Sequence, residues 1–420
     1  MTQESAWEYA AEERGAYLRA DRKEKRRILD GFCRVTHYHR KSAIRLLRHP
    51  PKEQGKRRGR RREYGGEVAV ALQVAWEATD GICSKRLAPF LPELVPLLER
   101  HGELALSAQT RAQLLRISAS TIDRLLARYR GRGGRRGRST TQPTSALQKL
   151  IPVRSYAQKW SSRPGEIEVD LVAHCGRSTE GFYLYTLVAV ELTTGWTECV
   201  PLWGKSQSRV GAGVERVRRR MPFKIISLHS DNGSEFINQS LYAYCHREGI
   251  AFSRSRASNK NDQAHVEQRN WSAVRRVVGY ERYTSHAAQQ QLDRLYELLR
   301  EHMNFFQPMR KLIPGERVDG KVHKRYDTAQ TPYQRLLRQG VLDDQERQRL
   351  AERYQSLNPV KLRTQIDETL RLLWQMAKPD PRTEREVAAW TAQEAAQAKA
   401  MRATIRIHGN STSEASSSLR

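Results

Sequence analysis

Cysteine is scarce and unpatterned: Cys33, Cys83, Cys175, Cys199 and Cys245 stand far apart, odd in number and never as Cys-x-x-Cys. That excludes a disulfide framework and points to a reducing compartment. His37, His39 and His49 have no cysteine pair nearby to complete a tetrahedral site, which excludes an N-terminal zinc module. Long apolar runs are missing as well. Gly181 to Val190 and the proline-broken Leu87 to Leu98 fall short of the roughly 18 residues a membrane span needs. The opening Met-Thr-Gln-Glu-Ser-Ala-Trp-Glu lacks the basic start and apolar core of a signal peptide, so a cytoplasmic location is expected. Acids are the minority charge, 46 Asp and Glu against 74 Lys and Arg, for a net +28. The natural partner of such a chain is a polyanion, bound in a salt-sensitive way.

What is present divides the 420 residues into blocks. Residues 52–65 and 131–160 read as basic linkers; between Lys52 and Arg62 seven Lys or Arg stand with one Glu among glycines. Both are expected to track phosphates. Ahead of the first linker, residues 1–51 carry a helix over Arg22–Cys33, a turn at Val35-Thr-His-Tyr and a helix over His39–Arg48, a helix-turn-helix spacing. Ala43, Ile44 and Leu47 pack inward, and Arg40, Lys41, Arg45 and Arg48 are left for DNA. Residues 66–130 hold a second such unit, with Ser118 as a cap, Ile122, Leu125 and Leu126 buried, and Ser120, Thr121, Arg124 and Arg128 outward. Plain helical core is the bland alternative for both. His37-Tyr38-His39 resembles the metal triplet of rolling-circle nucleases, and His37-x-x-Arg40 faintly echoes tyrosine recombinases; both fail because they fall at the turn of a helical pattern.

Three acids carry the chemistry: Asp170 in Glu-Ile-Glu-Val-Asp-Leu-Val-Ala-His, Asp231 in Leu-His-Ser-Asp-Asn-Gly-Ser-Glu-Phe, and Glu267 in Ala-His-Val-Glu-Gln-Arg-Asn. Sixty residues lie between the first two and thirty-five between the last two, so only folding can gather them. Ile167–Val172 reads as a strand with Asp170 near its middle, and Phe223–His229 as a strand delivering Asp231 at its end. Asn261–Val278 reads as a helix that lays Glu267 over that edge. An isolated acid is usually a solvated charge. An acid inside an apolar strand is costly unless a cation or partner compensates it. Two hard cations about 3.5–4 Å apart, clamping the attacking and leaving oxygens of a phosphodiester, need such carboxylates. Glu235 is read as facing the following loop, toward solvent or DNA, and Asp262 as a helix-start residue.

These segments resemble the catalytic core shared by retroviral integrases and DDE transposases of bacterial insertion sequences. Asp170 matches the first acid, Asp231-Asn-Gly-x-x-Phe236 the second, and Val266-Glu267 with Asn270 the third; the thirty-five-residue gap is also the family's. The likeness covers about Gly165 to Pro308, and Asn304-Phe-Phe-Gln-Pro308 is similar to what many such transposases carry after the third acid. One departure is Ala264, where retroviral members usually have Gly.

The resemblance implies an α/β RNase H-like catalytic core over residues 161–310, with N-terminal helix-turn-helix domains before it, a C-terminal helical module over 311–379 and a partly disordered tail over 380–420. It implies a DNA transposase that cuts element ends and transfers strands by direct phosphoryl transfer. Two Mg²⁺ ions are expected, with Mn²⁺ as a substitute, Asp170 bridging both and Asp231 and Glu267 completing one site each. Asn232, Gly233 and Asn270 are expected behind them, and Lys205, Arg254, Arg256, Lys260 and Arg269 on phosphates. His174 and His229 are weighed as groups that could orient water or a ligand acid. Partners are transposon-end and target DNA in a homo-oligomer near a bacterial nucleoid, with no membrane and no small-molecule cofactor. A domesticated DNA-binding regulator and a hydrolytic RNase H-like nuclease remain as alternatives.

Overall fold

The structure, a computed structural model, describes residues 1–49, 63–129, 151–152, 163–256, 260–313, 317–318, 321–322, 324–379 and 381. The two linker readings for the most part, the tail reading, and the side chains of Arg128 and Lys260 lie outside the described residues. The chain forms two compact units, Met1–Glu63 and Tyr64–Arg420, each described by itself.

In the first unit, Thr2 caps α1 (Gln3–Arg19) by accepting from the Ser5 amide, and Asp21 caps α2 (Arg22–Thr36) through Glu24. Helix α2 stops where His37 turns left-handed at φ 60°, and His39 opens α3 (Arg40–Arg48). Tyr17, Leu29, Phe32, Ala43 and Leu47 form the core, with Tyr9 stacked on Phe32 at 5.4 Å. The expected pair of helices is present, and α1 completes a three-helix cluster around it. Phe32 is wholly buried. Phe32→Ala should therefore remove about 3–5 kcal/mol, most of what a unit this small commands. Limited proteolysis should then cut within residues 1–49 while the second unit resists.

In the second unit, α4 (Gly66–Ala78), α5 (Ser84–Leu87), α6 (Leu91–Arg100), α7 (Ala108–Leu115) and α8 (Ala119–Leu126) precede the sheet. Ser118 caps α8 as expected, yet Thr121, expected outward, is buried. The reason is local: its hydroxyl accepts from both Ser118 and Arg124.

Five strands then form one sheet: β1 (Glu166–Ala173), β2 (Tyr185–Glu191), β3 (Thr197–Leu202), β4 (Ser227–Ser230) and β5 (Ala251–Arg254), in the order β3-β2-β1-β4-β5. The first three are antiparallel neighbours, and β4 and β5 run parallel to β1. That mixed sheet is RNase H-like. Strand β2 is buried along its whole length, which its nearly unbroken apolar run dictates. Helices α9 (Gln207–Arg220) and α10 (Gln239–Arg247) link the later strands. Next, α11 (Ala264–Arg269) passes through a π-helical segment, Asn270–Arg275, into α12 (Arg276–Val278). Ala264 does not adopt positive φ, so no glycine is required there.

Helix α13 (His286–Phe306) packs on β3 and on α16 (Pro359–Gln375), which follows α14 (Pro332–Arg338) and α15 (Asp344–Ser356). The sequence suggested separate modules at 66–130 and 311–379, but both share one unit with the core. Polar contacts between these segments explain why. His302 Nε2 bonds the Ala78 carbonyl at 2.9 Å, Asn358 donates to Glu103 at 2.6 Å, and Arg363 pairs with Asp80 at 3.1 Å. Among the described residues no helix is long and apolar enough to cross a membrane.

Candidate functional site

Alternation along β1 turns Glu168 and Asp170 to the same face. Parallel pairing sets Glu168 beside His229 of β4, and the same register carried two residues further brings Asp231 level with Asp170. Both acids thus leave one edge of the sheet, where the carboxyl ends of parallel strands open outward. Asp170 is partly buried and accepts from the Leu171 amide and from Asn270 Nδ2, each at 2.7 Å. Burial first, then the Asp231 charge, pushes the Asp170 carboxyl up to about 7, with a smaller push from Glu267. Burial also raises Asp231, helped by Glu235 and opposed by the Gly233 amide and Lys205.

The turn holding Asp231 is built by its neighbours. Phe236 is wholly buried, Asn238 caps α10 by accepting from Leu241 at 2.9 Å, and the Gly233 amide donates to Asp231 Oδ1 at 2.9 Å. A Cβ on Gly233 would stand 2.9 Å from Glu235 Oε2 and 3.0 Å from Asp231 Oδ1. A side chain at 233 would force one of those carboxylates to shift. Glu235 is therefore not out in solvent as expected: it is 9% exposed, with Lys205 Nζ 3.6 Å away. The Asp-Asn-Gly-x-Glu spacing folds it back beside Asp231, a signal legible once the turn is recognised. Asn232 holds the same loop to β5, donating to the Ser255 carbonyl and accepting from Arg254, each at 3.0 Å.

Glu267 lies on the exposed side of α11, while its neighbour Val266 is fully buried. Its charge reaches Asp170 and Glu168, raising both. Among the described residues, however, no group of three His, Cys, Asp or Glu side chains is placed to hold a metal ion. The structure thus sets Asp170 and Asp231 side by side and leaves the third acid on the outer face of its helix. The donors present, carboxylates and an amide oxygen, suit a hard cation. Asn270 Oδ1, buried and without a hydrogen-bond partner, faces the same need.

Glu168 is a functional candidate the sequence reading passed over. It is fully buried, accepts from the Val266 amide at 2.9 Å, and has been pushed up to about 7 by burial. The repeat Glu166-Ile-Glu-Val-Asp could have revealed it, since period two places it on the face of Asp170.

The basic residues fare unequally. Arg40, Lys41, Arg45 and Arg48 are exposed, Arg40 pairing with Asp30, and Arg124 is exposed on α8. Arg256 grips the fully buried Asp262 with two nitrogens, each at 2.8 Å, so Asp262 anchors the loop before α11. Arg254, partly buried, also donates to the Ile151 carbonyl at 3.1 Å. Arg269, expected on phosphate, is corrected: it is 8% exposed and donates inward to the Gly195 carbonyl at 3.2 Å, because it lies on the packed face of α11. His174 bonds Thr186 at 2.7 Å and His229 bonds Ser253 at 2.9 Å, both within the core as packing residues.

Residues 161–260 match the family model described as Integrase core domain. The chain belongs to the integrase-core family. The chain is similar to the Uncharacterized protein y4rM of Sinorhizobium fredii (strain NBRC 101917 / NGR234), 44% identical over 321 residues that span 76% of this chain and 91% of that protein. The catalytic core domain of BIV integrase is similar at 18% identity over 41% of this chain and 94% of that one, with a TM-score of 0.28.

Proposed function

We propose that this protein is a transposase that cuts the ends of an insertion sequence and joins them to target DNA by direct phosphoryl transfer. The observation that carries the reading is the pair Asp170 and Asp231, delivered by parallel strands to one sheet edge and raised by burial and, at Asp170, by its neighbour's charge. Such a pair is held apart from neutral packing by its need for positive charge.

Two Mg²⁺ ions, replaceable by Mn²⁺, would polarise the scissile phosphodiester and the attacking hydroxyl when bound. Asp170 and Asp231 would hold them from the sheet, and Glu267 would join by a change of rotamer, a small movement for an exposed glutamate. Asn270 orients Asp170, the Gly233 amide orients Asp231, and Asn232 ties their loop to β5. No side chain need become covalently attached to DNA. Arg40, Lys41, Arg45 and Arg48 in the first unit and Arg124 in the second would bind phosphates of the element's ends. Lys205 and the Arg256 edge would meet the reacting strand. Because two ends must be joined together, the working form is a homo-oligomer on DNA, in the cytoplasm among the nucleoid.

The test is a cleavage and strand-transfer assay with Mg²⁺ on DNA carrying the flanking ends, comparing the parent chain with Glu267→Gln. End binding by both with joining by the parent alone is the expected outcome. Binding without reaction by either, with Mn²⁺ also tried, would replace the transposase with a DNA-binding regulator. Cleavage without joining would replace it with a nuclease.

A further inference from the structure

Two side chains of β1 hold the helix that carries Glu267. Glu168 Oε2 accepts from the Val266 amide at 2.9 Å, and Asp170 Oδ2 accepts from Asn270 Nδ2 at 2.7 Å. The spacings agree: four residues of α-helix rise about 6 Å, and two residues of strand advance about 6.6 Å. The first turn of α11 and the start of the π-helical segment after it are thus each tied to β1, one on either side of Glu267. Gln263 adds a third tie just before the helix, donating to the Val169 carbonyl at 3.3 Å.

We propose that Glu168 is a positioning residue that sets the place of Glu267 relative to Asp170 by holding the first turn of α11 against β1. This deepens the transposase reading and rests on it. The amide of Val266 belongs to the first turn of its helix, where N–H groups have no carbonyl partner within the helix. Glu168 supplies one from the sheet. It is fully buried, so the tie is shielded from solvent and does not exchange freely with water. An ordinary apolar residue at 168 would bury as well but could not hold the helix in register. The cost of a buried carboxylate is otherwise hard to account for in a strand whose neighbours Ile167 and Val169 are fully buried and apolar.

Glu168→Gln retains an acceptor for the Val266 amide, whereas Glu168→Leu keeps the volume and removes the acceptor. Three readouts separate positioning from mere folding: strand transfer, the Mn²⁺ concentration giving half of the Mn²⁺-induced rise in melting temperature without DNA, and hydrogen exchange of the peptide spanning 264–270. Expected for Glu168→Gln are strand transfer and Mn²⁺ half-saturation within about threefold of the parent. Expected for Glu168→Leu are a loss of strand transfer of about tenfold or more, a Mn²⁺ half-saturation raised by a similar factor, and faster exchange in that peptide, with end binding unchanged. If the Leu variant does not fold, Glu168→Ala, which adds no misplaced bulk, takes its place with the same expectations.

Parental Mn²⁺ half-saturation and parental strand transfer in the Leu or Ala variant would overturn the proposal. So would a Gln variant as impaired as the Leu variant, because the acceptor would then not be what matters. A parent chain that joins no DNA would instead remove the transposase reading, while a parent that joins, a dead Glu267→Gln and an active Glu168→Leu would remove this inference alone.

Discussion

Asp170→Asn is expected to melt higher than the parent chain in metal-free buffer and yet to join no DNA. The rise follows from charge. Asp170 is partly buried beside Asp231, and burial together with that neighbour disfavours its ionised form. An amide of the same shape removes the repulsion. It also finds its hydrogen bonds, because Asn270 Oδ1 is buried without a partner and a flip of Asn270 would present it to the introduced NH₂ group. Relief of one such buried repulsion amounts to about 1–3 kcal/mol, several degrees in a scanning-fluorimetry melt. Strand transfer should fall about 1,000-fold or more, equivalent to roughly 4 kcal/mol of barrier, because an amide is a poor ligand for a hard cation. The two measurements move in opposite directions, which distinguishes a site held under electrostatic load from an ordinary core position. A variant that melted lower and still joined DNA would refute the assignment of Asp170.

Gly233→Ala should be nearly as damaging through geometry alone. The added methyl would lie 2.8 Å from Glu235 Cδ, closer than real Cβ contacts come, and 3.0 Å from Asp231 Oδ1, tighter than nine in ten of them. Glu235 is buried and near Lys205, so neither carboxylate retreats without disturbing the turn. Displacing a reacting group by on the order of an ångström costs about 100-fold in rate. End binding should be unaffected, since the exposed arginines of the first unit are far along the chain from this turn. Joining assays with matched end-binding measurements would check this; full joining by Gly233→Ala would mean that the turn adapts and that Asp231 is not held where it appears.

The strands were legible because their apolar runs are short and bounded by turn residues, and because acids interrupt them. Asp170 and Asp231 stood out for that reason, and the sheet puts them at one edge. Glu267 was legible as a residue but not in its pose: helical periodicity in Asn261–Val278 cannot reveal a π-helical segment, which begins at Asn270 and shifts the face that follows. Trp271, inside that segment, is 55% exposed. Arg269 and Glu235 were misread for a shared reason. Charge suggests solvent unless a partner is known, and their partners, the Gly195 carbonyl and Lys205, are distant in sequence. Glu168 was in plain view, but its partner is an amide almost a hundred positions away.

The packing of α4 and α13 on α16 has a practical side for anyone trimming this protein to its chemistry. The family match invites a fragment of residues 161–260, which would omit Glu267 altogether. A longer fragment ended near residue 310 would strip α16 from α13 and remove the Thr369 carbonyl to which Gln291 donates at 3.0 Å. One started near residue 161 would lose the Ala78 carbonyl that His302 bonds in the core. A fragment that keeps these contacts accordingly runs from Tyr64 through the end of α16.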